Sequence, residues 1–303
     1  MTSSFRLVIV TAALLAGGCA SAPRSAGPAS LADGQSHFVA LDGHKVHYVT
    51  VGRGERTVVL VHGWAGNLGF WREQVPVLAA GARLILIDLP GHGQSDKPEV
   101  DYTLEFFARS VLAVMRDARV EKATLVGHSM GAAVICRVYV HDPGKVAALV
   151  SVDGALRRPP MTAAEVEAFT RPFRTPQYRE HTTAFIGSLF PAGTESLRDQ
   201  VIAELLATPQ HVMRSAMDGM FGLGRSDWDL MRVPVPVLVI NANSPHWPPD
   251  YEAYVRSLSR RTEYRTMDGV GHWLMLEKPA EFNALLTRML QRFDLIAGDS
   301  PEP

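Results

Sequence analysis

A serine between two glycines, in the stretch Gly127-His128-Ser129-Met130-Gly131, has the residue types and spacing that most directly indicate chemistry. The stretch matches the pattern G-x-S-x-G, follows an apolar run at 123–126 and precedes a helix-compatible run at 132–139. A serine hydroxyl is a poor nucleophile until a base activates it, and a sharp turn from strand to helix holds it exposed beside a base and backbone N–H donors. The pattern therefore predicts that Ser129 is a nucleophile.

The elements that must position this serine alternate between strands and helices from His37 onward. Residues 37–41 and 45–51 flank Asp42-Gly43 and are typical of a hairpin. Continuous apolar runs, as found in buried parallel strands, occupy 58–61, 84–87, 123–126, 147–152 and 235–240, and 262–267 is the predicted last strand. Helical spacing occupies 104–119 and 279–293. The fold class predicted is α/β, with a mostly parallel sheet of eight strands and helices on both faces.

The stretch 156–232 interrupts this alternation, because it has helical pieces and no convincing strand. We expect it to form a helical cap inserted into a core made of residues 37–155 and 233–296, with a C-terminal tail at 297–303. Its large apolar side chains are candidates for lining a pocket: Phe169, Phe173, Tyr178, Phe185, Phe190, Met213, Met217, Met220 and Phe221.

The N-terminal residues 1–18 have the features of an export signal. Arg6 supplies a positive charge, and the apolar run 7–15 is too short to span a membrane stably. The segment Leu15-Ala16-Gly17-Gly18-Cys19 resembles a bacterial lipobox, which predicts lipidation of Cys19, and residues 19–36 are then a flexible tether. An ordinary secretory signal or an uncleaved anchor is the alternative. Either way we expect an exported protein, and lipidation of Cys19 would anchor it to a bacterial membrane, facing the periplasm or the cell exterior.

Composition narrows the choice of partners. The chain has 303 residues, 47% hydrophobic, and a formal net charge of -1 from 30 basic and 31 acidic residues. This balance argues against nucleic acid as a partner and favours a small neutral or apolar molecule. The histidines and cysteines lack ligand-like spacing, so we expect no metal. Lipidation of Cys19 would leave Cys136 without a disulfide partner, as a small core residue.

Four landmarks together identify a family resemblance. They are His62-Gly63-Trp64, the stretch 88–96 (Asp-Leu-Pro-Gly-His-Gly-Gln-Ser-Asp), the serine motif, and Gly269-Val270-Gly271-His272. From about His37 to Phe293 the chain resembles the α/β-hydrolase superfamily, in its cap-bearing branch of small esterases, lactonases, perhydrolase-type enzymes and carbon–carbon bond hydrolases. These landmarks specify fold and catalytic machinery better than substrate.

The resemblance implies roles for three further positions. His272 would be the general base, since an imidazole that titrates near neutrality can take the serine proton and return it to the leaving group. The backbone amides of Trp64 and Met130 would form the oxyanion hole, where each donor stabilises developing negative charge by roughly 3 to 4 kcal/mol. The resemblance implies no cofactor.

The acidic member of the triad departs from the family pattern. In most relatives an aspartate follows the strand that matches 235–240, but this chain has Asn241-Ala242-Asn243-Ser244 there. Asp153, at the end of the preceding strand, is the first candidate because some branches place the acid there. Asp250 is the second candidate. Asn243 as a neutral partner, or no third member, stays open.

These observations predict a serine hydrolase that cleaves a small, apolar carboxylic ester or lactone through an acyl-enzyme, without a cofactor. One alternative keeps the same residues for carbon–carbon bond hydrolysis or perhydrolysis. Another is a non-catalytic, anchored binding protein on a hydrolase fold.

Overall fold

The computed structural model describes residues 29–221 and 230–298, and within them eight strands form one sheet. The spatial order is β1-β2-β4-β3-β5-β6-β7-β8, in which β1 pairs antiparallel with β2, β2 pairs antiparallel with β4, and the other pairs are parallel. The strands are β1 Gln35–Leu41, β2 His44–Val51, β3 Thr57–Val61, β4 Arg83–Ile87, β5 Ala123–His128, β6 Val146–Val152, β7 Val237–Ala242 and β8 Thr262–Met267. The predicted fold class is confirmed.

Helices connect the parallel strands. They are α1 Val75–Leu78, α2 Leu104–Asp117, α3 Met130–His141, α4 Ala163–Thr170, α5 Tyr178–Gly187, α6 Glu195–Leu205, α7 Gln210–Phe221, α8 Tyr251–Leu258, α9 Leu274–Glu277 and α10 Pro279–Arg292. Every residue of β3 and β5 is buried, which requires cover on both faces of the sheet. This is why these strands are continuous apolar runs in the sequence rather than alternating ones.

Four of the helices, α4 to α7, lie between β6 and β7, where the sequence predicts the inserted cap. We call residues 156–221 the helical insertion; residues 222–229 of the predicted cap lie outside the described residues. The start of α4 is fixed locally, because the Thr162 hydroxyl accepts from the Glu165 amide at 3.3 Å and the Glu165 carboxylate accepts from the Thr162 amide at 2.7 Å.

Two strands end later than the sequence predicts. β5 continues to His128, and β7 runs from Val237 to Ala242 rather than over 235–240. Pro236 has no N–H to donate, although its carbonyl still accepts from Leu149 at 3.0 Å. The later end of β7 brings the Ala242 amide to the edge of the sheet where the site lies.

The folded chain begins before the predicted boundary at residue 37. A 3₁₀ helix spans Leu31–Asp33 and β1 starts at Gln35, both inside the segment predicted as a tether. The Asp33 carboxylate closes this turn by accepting from the Ser30 amide at 2.7 Å. The predicted signal 1–18, Cys19 and residues 299–303 of the predicted tail lie outside the described residues. Among those that are described, the helices are all too short or too polar to cross a bilayer.

Candidate active site

Ser129 occupies the turn between β5 and α3 with a strained backbone. Its φ of 53° and ψ of -118° lie in a region that residues with a side chain rarely adopt. Two glycines permit the turn. A Cβ on Gly127 would lie 2.2 Å from the Gly131 carbonyl oxygen, and a Cβ on Gly131 would lie 2.4 Å from that of Val61. The spacing of the sequence motif thus follows from close backbone approach, and it leaves the Ser129 side chain partly exposed.

Asp153 lies beside Ser129 because their strands end together. In the parallel register His128 pairs with Val152, so the residues that follow these two strand ends are neighbours. The Ser129 amide donates to the Val152 carbonyl at 3.0 Å. The Asp153 carboxylate is fixed in turn, since its Oδ1 accepts from the Ala242 amide at 2.8 Å.

His272 reaches this carboxylate from the loop after β8. Its Nδ1 lies 2.6 Å from Asp153 Oδ2, and the two side chains are only 19% and 10% exposed. An ionised carboxylate can only accept, so this contact puts a proton on Nδ1 and leaves Nε2 available to act as a base.

The backbone of His272 is held as well as its ring. The His272 amide donates to the Leu189 carbonyl, in the helical insertion, at 3.1 Å. Its carbonyl accepts from Nε2 of His128 at 2.9 Å. His128 directly precedes Ser129, so this bond ties the two loops together.

Ser129 and His272 line one cavity of about 240 Å³ between the sheet edge and the helical insertion. Of the apolar candidates from the insertion, Phe169, Phe185, Met217, Met220 and Phe221 line it, whereas Phe173, Tyr178, Phe190 and Met213 do not. Trp64 and Trp273 also line it; Trp247 lies in a neighbouring groove. Among the described lining residues there is no lysine or arginine, and the ionisable ones are Asp153, His128 and His272.

The two predicted oxyanion donors lie next to Ser129. Met130 is the first residue of α3, so its N–H has no partner within the helix. The loop that carries Trp64 passes close by, because a Cβ on Gly63 would lie 3.0 Å from the Ser129 Cβ. The Trp64 indole donates to the Met213 carbonyl at 2.8 Å, which fixes this loop against α7.

The structure does not bring the alternative acids to His272. The Asp250 carboxylate accepts from Arg157 at 2.8 and 2.9 Å, is 67% exposed, and does not line the cavity. Asn243 directs its side-chain amide to Asp268 at 2.7 Å. Asp153 is therefore the carboxylate in contact with His272.

Burial keeps three other histidines of the family landmarks neutral. It lowers the pKa of His62 and lowers that of His92 to about 3. Burial also lowers the pKa of His128 well below its ordinary value, and charge on His272 adds to this effect. Their contacts are structural: His62 Nδ1 donates to the Gly63 carbonyl at 2.7 Å, and its Nε2 accepts from the Leu89 amide at 3.1 Å.

Glu277, at the end of α9, is a residue of the site that the sequence analysis missed. Its carboxylate accepts from the Gly271 amide at 2.7 Å and from the Trp273 amide at 3.0 Å, on either side of His272. The signal available in the sequence is its position five residues after His272, in the single turn of helix before Pro279.

Comparison with known proteins agrees with this fold. The sequence model of the alpha/beta hydrolase fold family matches residues 56–279. The dihydrolipoyllysine-residue acetyltransferase component of the acetoin cleaving system of Cupriavidus necator is 30% identical over 264 residues, which is 84% of this chain and 68% of that protein. The chain belongs to the alpha/beta hydrolase fold family and is a hydrolase.

Two further relatives indicate the range of this family. The 2-hydroxy-6-oxo-6-(2'-aminophenyl)hexa-2,4-dienoic acid hydrolase of Metapseudomonas resinovorans is 28% identical and covers 85% of this chain and 92% of its own. A solved structure of an N-acyl homoserine lactone degrading enzyme is 25% identical, with a TM-score of 0.70, and covers 83% of this chain and 99% of its own. The relatives therefore differ in the compounds for which they are named.

Proposed function

We propose that this hydrolase cleaves small, uncharged carboxylic esters or lactones through an acyl-enzyme on Ser129. The observation that carries the proposal is that Ser129 and His272 line one cavity while His272 Nδ1 contacts Asp153 at 2.6 Å. In this proposal Ser129 is the nucleophile, His272 the base and Asp153 the acid that orients the base, which are the three roles that a serine hydrolase requires.

In the acylation step, His272 Nε2 removes the Ser129 proton as Oγ attacks the ester carbonyl. The amides of Met130 and Trp64 bind the oxyanion that forms, and α3 adds the favourable potential of its N-terminus. The intermediate collapses when the C–O bond to the alcohol breaks and His272 returns the proton to the leaving oxygen. Asp153 stabilises the imidazolium in between.

In the deacylation step, water takes the place of the alcohol. His272 removes one proton from the water, whose oxygen attacks the acyl carbonyl, and the same amides bind the second oxyanion. Collapse breaks the bond to Ser129 Oγ, which recovers its proton from His272. The products are a carboxylic acid and the alcohol, and a lactone gives both groups in one molecule.

The lining of the cavity supports an apolar, uncharged substrate. Aromatic and methionine side chains dominate the wall that the helical insertion contributes. A free carboxylate on the substrate would be buried without a cation among the described lining residues, which is unfavourable. This favours an ester or lactone over the carboxylate-bearing substrate that the Metapseudomonas hydrolase is named for.

The proposal is tested with a fluorophosphonate probe and p-nitrophenyl esters of increasing acyl length, with lactones assayed in parallel. We expect covalent labelling and ester turnover by the native protein, and neither in Ser129→Ala with an unchanged circular dichroism spectrum. Turnover of a vinylogous diketone without ester cleavage would instead identify a carbon–carbon bond hydrolase. Peroxide-dependent formation of a peracid would identify a perhydrolase. Absence of labelling and turnover in the native protein would favour a non-catalytic binding protein.

We also propose that the protein is exported and anchored to a bacterial membrane through lipidated Cys19. The support is the N-terminal sequence alone, with its basic residue, apolar run and small residues before the cysteine. Incorporation of labelled palmitate into the native protein in a bacterial host, and none into Cys19→Ser, is the expected result. An exported protein without label would leave an ordinary secretory signal or an uncleaved anchor.

A further inference from the structure

Glu277 binds the chain on both sides of the proposed base. Its Oε2 accepts from the Gly271 amide at 2.7 Å and its Oε1 accepts from the Trp273 amide at 3.0 Å. One carboxylate therefore binds the amides of the two residues that flank His272. Hydrogen bonds that end on an ionised carboxylate are shorter and stronger than those between neutral groups.

The other contacts of His272 do not hold the backbone amides of Gly271 and Trp273, which Glu277 binds. The Leu189 carbonyl and the His128 ring hold the amide and carbonyl of His272 itself, and Asp153 holds its Nδ1. Gly271 and Trp273 would lose a bonding partner if the Glu277 carboxylate were removed. The residues on either side of His272 would then be able to rotate relative to it, because their amides would no longer be fixed.

Glu277 does not line the cavity, so it acts on catalysis only through its neighbours. Its side chain is partly buried, and burial raises its pKa while the two amide bonds and the charge on His272 oppose that rise. The Glu277 carboxylate and a positively charged His272 ring attract each other. Asp153 and Glu277 therefore provide two carboxylates for one imidazole, of which the first contacts the ring and the second contacts the backbone.

We infer that Glu277 is a positioning residue, which fixes the backbone on both sides of His272 and stabilises its imidazolium from outside the substrate cavity. The inference rests on the proposed function for its kinetic consequence, and on geometry alone for the coupling between Glu277 and His272.

The test compares Glu277→Gln, Glu277→Asp and Glu277→Ala with a matched control, Glu281→Gln. Glu281 is exposed on the next helix, so the control makes the same chemical change outside the loop. We expect Glu277→Ala to lower kcat about 10- to 100-fold, because small misplacements of a catalytic group are costly. KM should change less than twofold. Glu277→Gln keeps one oxygen as acceptor and should lose less, and Glu277→Asp is too short to bind both amides.

The charge is tested by pH dependence. Removing a negative charge near the imidazole makes protonation less favourable, so the acidic limb of kcat/KM should move to lower pH in Glu277→Gln and stay in place in Glu281→Gln. The C–H resonances of the His272 ring, followed by NMR titration, should show the same lower pKa. Unchanged kcat and an unmoved titration in a folded Glu277→Gln or Glu277→Asp protein would overturn the inference.

The NMR titration does not need turnover. A native protein without esterase activity whose His272 titration still shifts in Glu277→Gln would contradict the proposed function and support the role of Glu277. An active native protein with no shift and no loss of kcat in the variants would contradict the role of Glu277 alone.

Discussion

The imidazole of His272 lies 2.6 Å from Asp153, a residue of the strand end next to that of Ser129. The Asp153 carboxylate is oriented by the last residue of β7, because the Ala242 amide donates to its other oxygen at 2.8 Å. β7 thus contributes to the site through a backbone amide rather than through a carboxylate.

Asp153→Asn should lower kcat for ester hydrolysis by about 10⁴-fold, because an amide in this position favours the wrong tautomer of the base. The matched control is Asp250→Asn, since Asp250 binds Arg157 at the surface. Its kcat should stay within about twofold of the native value. Stopped-flow or steady-state release of p-nitrophenol measures both. Near-native turnover by Asp153→Asn would remove this residue from the mechanism.

A substrate with a free carboxylate should be a poor one. We expect kcat/KM for the p-nitrophenyl half-ester of glutaric acid to be at least about 100-fold below that for p-nitrophenyl valerate, because burying an unpaired charge is costly. The two molecules have the same length and the same leaving group, so the ratio measures the charge. Equal kcat/KM values for the two esters would mean that a cationic side chain of the protein reaches the acyl chain of the substrate.

Stability should decrease as pH falls from 7.5 to 5.5. Burial lowers the pKa of His62, His92 and His128 in the folded state, so the unfolded chain binds these protons more readily. At pH values below about 6.5 the free energy of unfolding therefore decreases as the pH falls, by up to about 1.4 kcal/mol per pH unit for each imidazole. For His92 the loss continues down to its folded pKa of about 3.

Urea unfolding at several pH values measures this dependence. A His92→Gln variant, which removes one of the titrating groups, should show a smaller slope than the native protein. Stability that does not change between pH 7.5 and 5.5 would contradict the burial argument.

Gly131→Ala should destabilise the protein by about 1–3 kcal/mol or more and lower esterase activity. The added Cβ would lie 2.4 Å from the Val61 carbonyl and 2.8 Å from that of His62, and both are backbone atoms that cannot rotate away. Gly187→Ala is the control, since the atom nearest to an added Cβ there is Cδ of Arg198, at 3.9 Å. That change in α5 should be neutral or stabilising by helix propensity. Thermal unfolding of both variants makes the comparison, and equal stabilities would refute the close approach.

Much of the sheet could be predicted because parallel strands are buried on both faces, which leaves continuous apolar runs that periodicity detects. The β8 prediction matches Thr262–Met267 residue for residue. The predicted end of β7 is two residues too early, because an asparagine does not indicate a strand. In the structure Asn241 and Ala242 extend β7, and Asn241 is fully buried there.

The site was predictable where chemistry fixes residue type and local spacing, as at Ser129. The family resemblance made Asp153 the first candidate for the acid, and the structure puts it in contact with His272, although its catalytic role stays a prediction. The role inferred for Glu277 could not be predicted from the sequence, because it depends on hydrogen bonds to two backbone amides. Every residue except proline has such an amide, so these bonds require no particular residue type. The meeting of Leu189 with His272 depends on packing between segments far apart in sequence.

That meeting has a consequence for how such enzymes can be recombined. The His272 amide finds its acceptor on Leu189, and Gly271 has no room for a side chain because the same carbonyl would lie 2.1 Å from its Cβ. The helical insertion therefore cannot be exchanged independently of the loop that carries His272. A chimera that takes these helices from a homologue must present a carbonyl at the same place, or the His272 amide loses its acceptor.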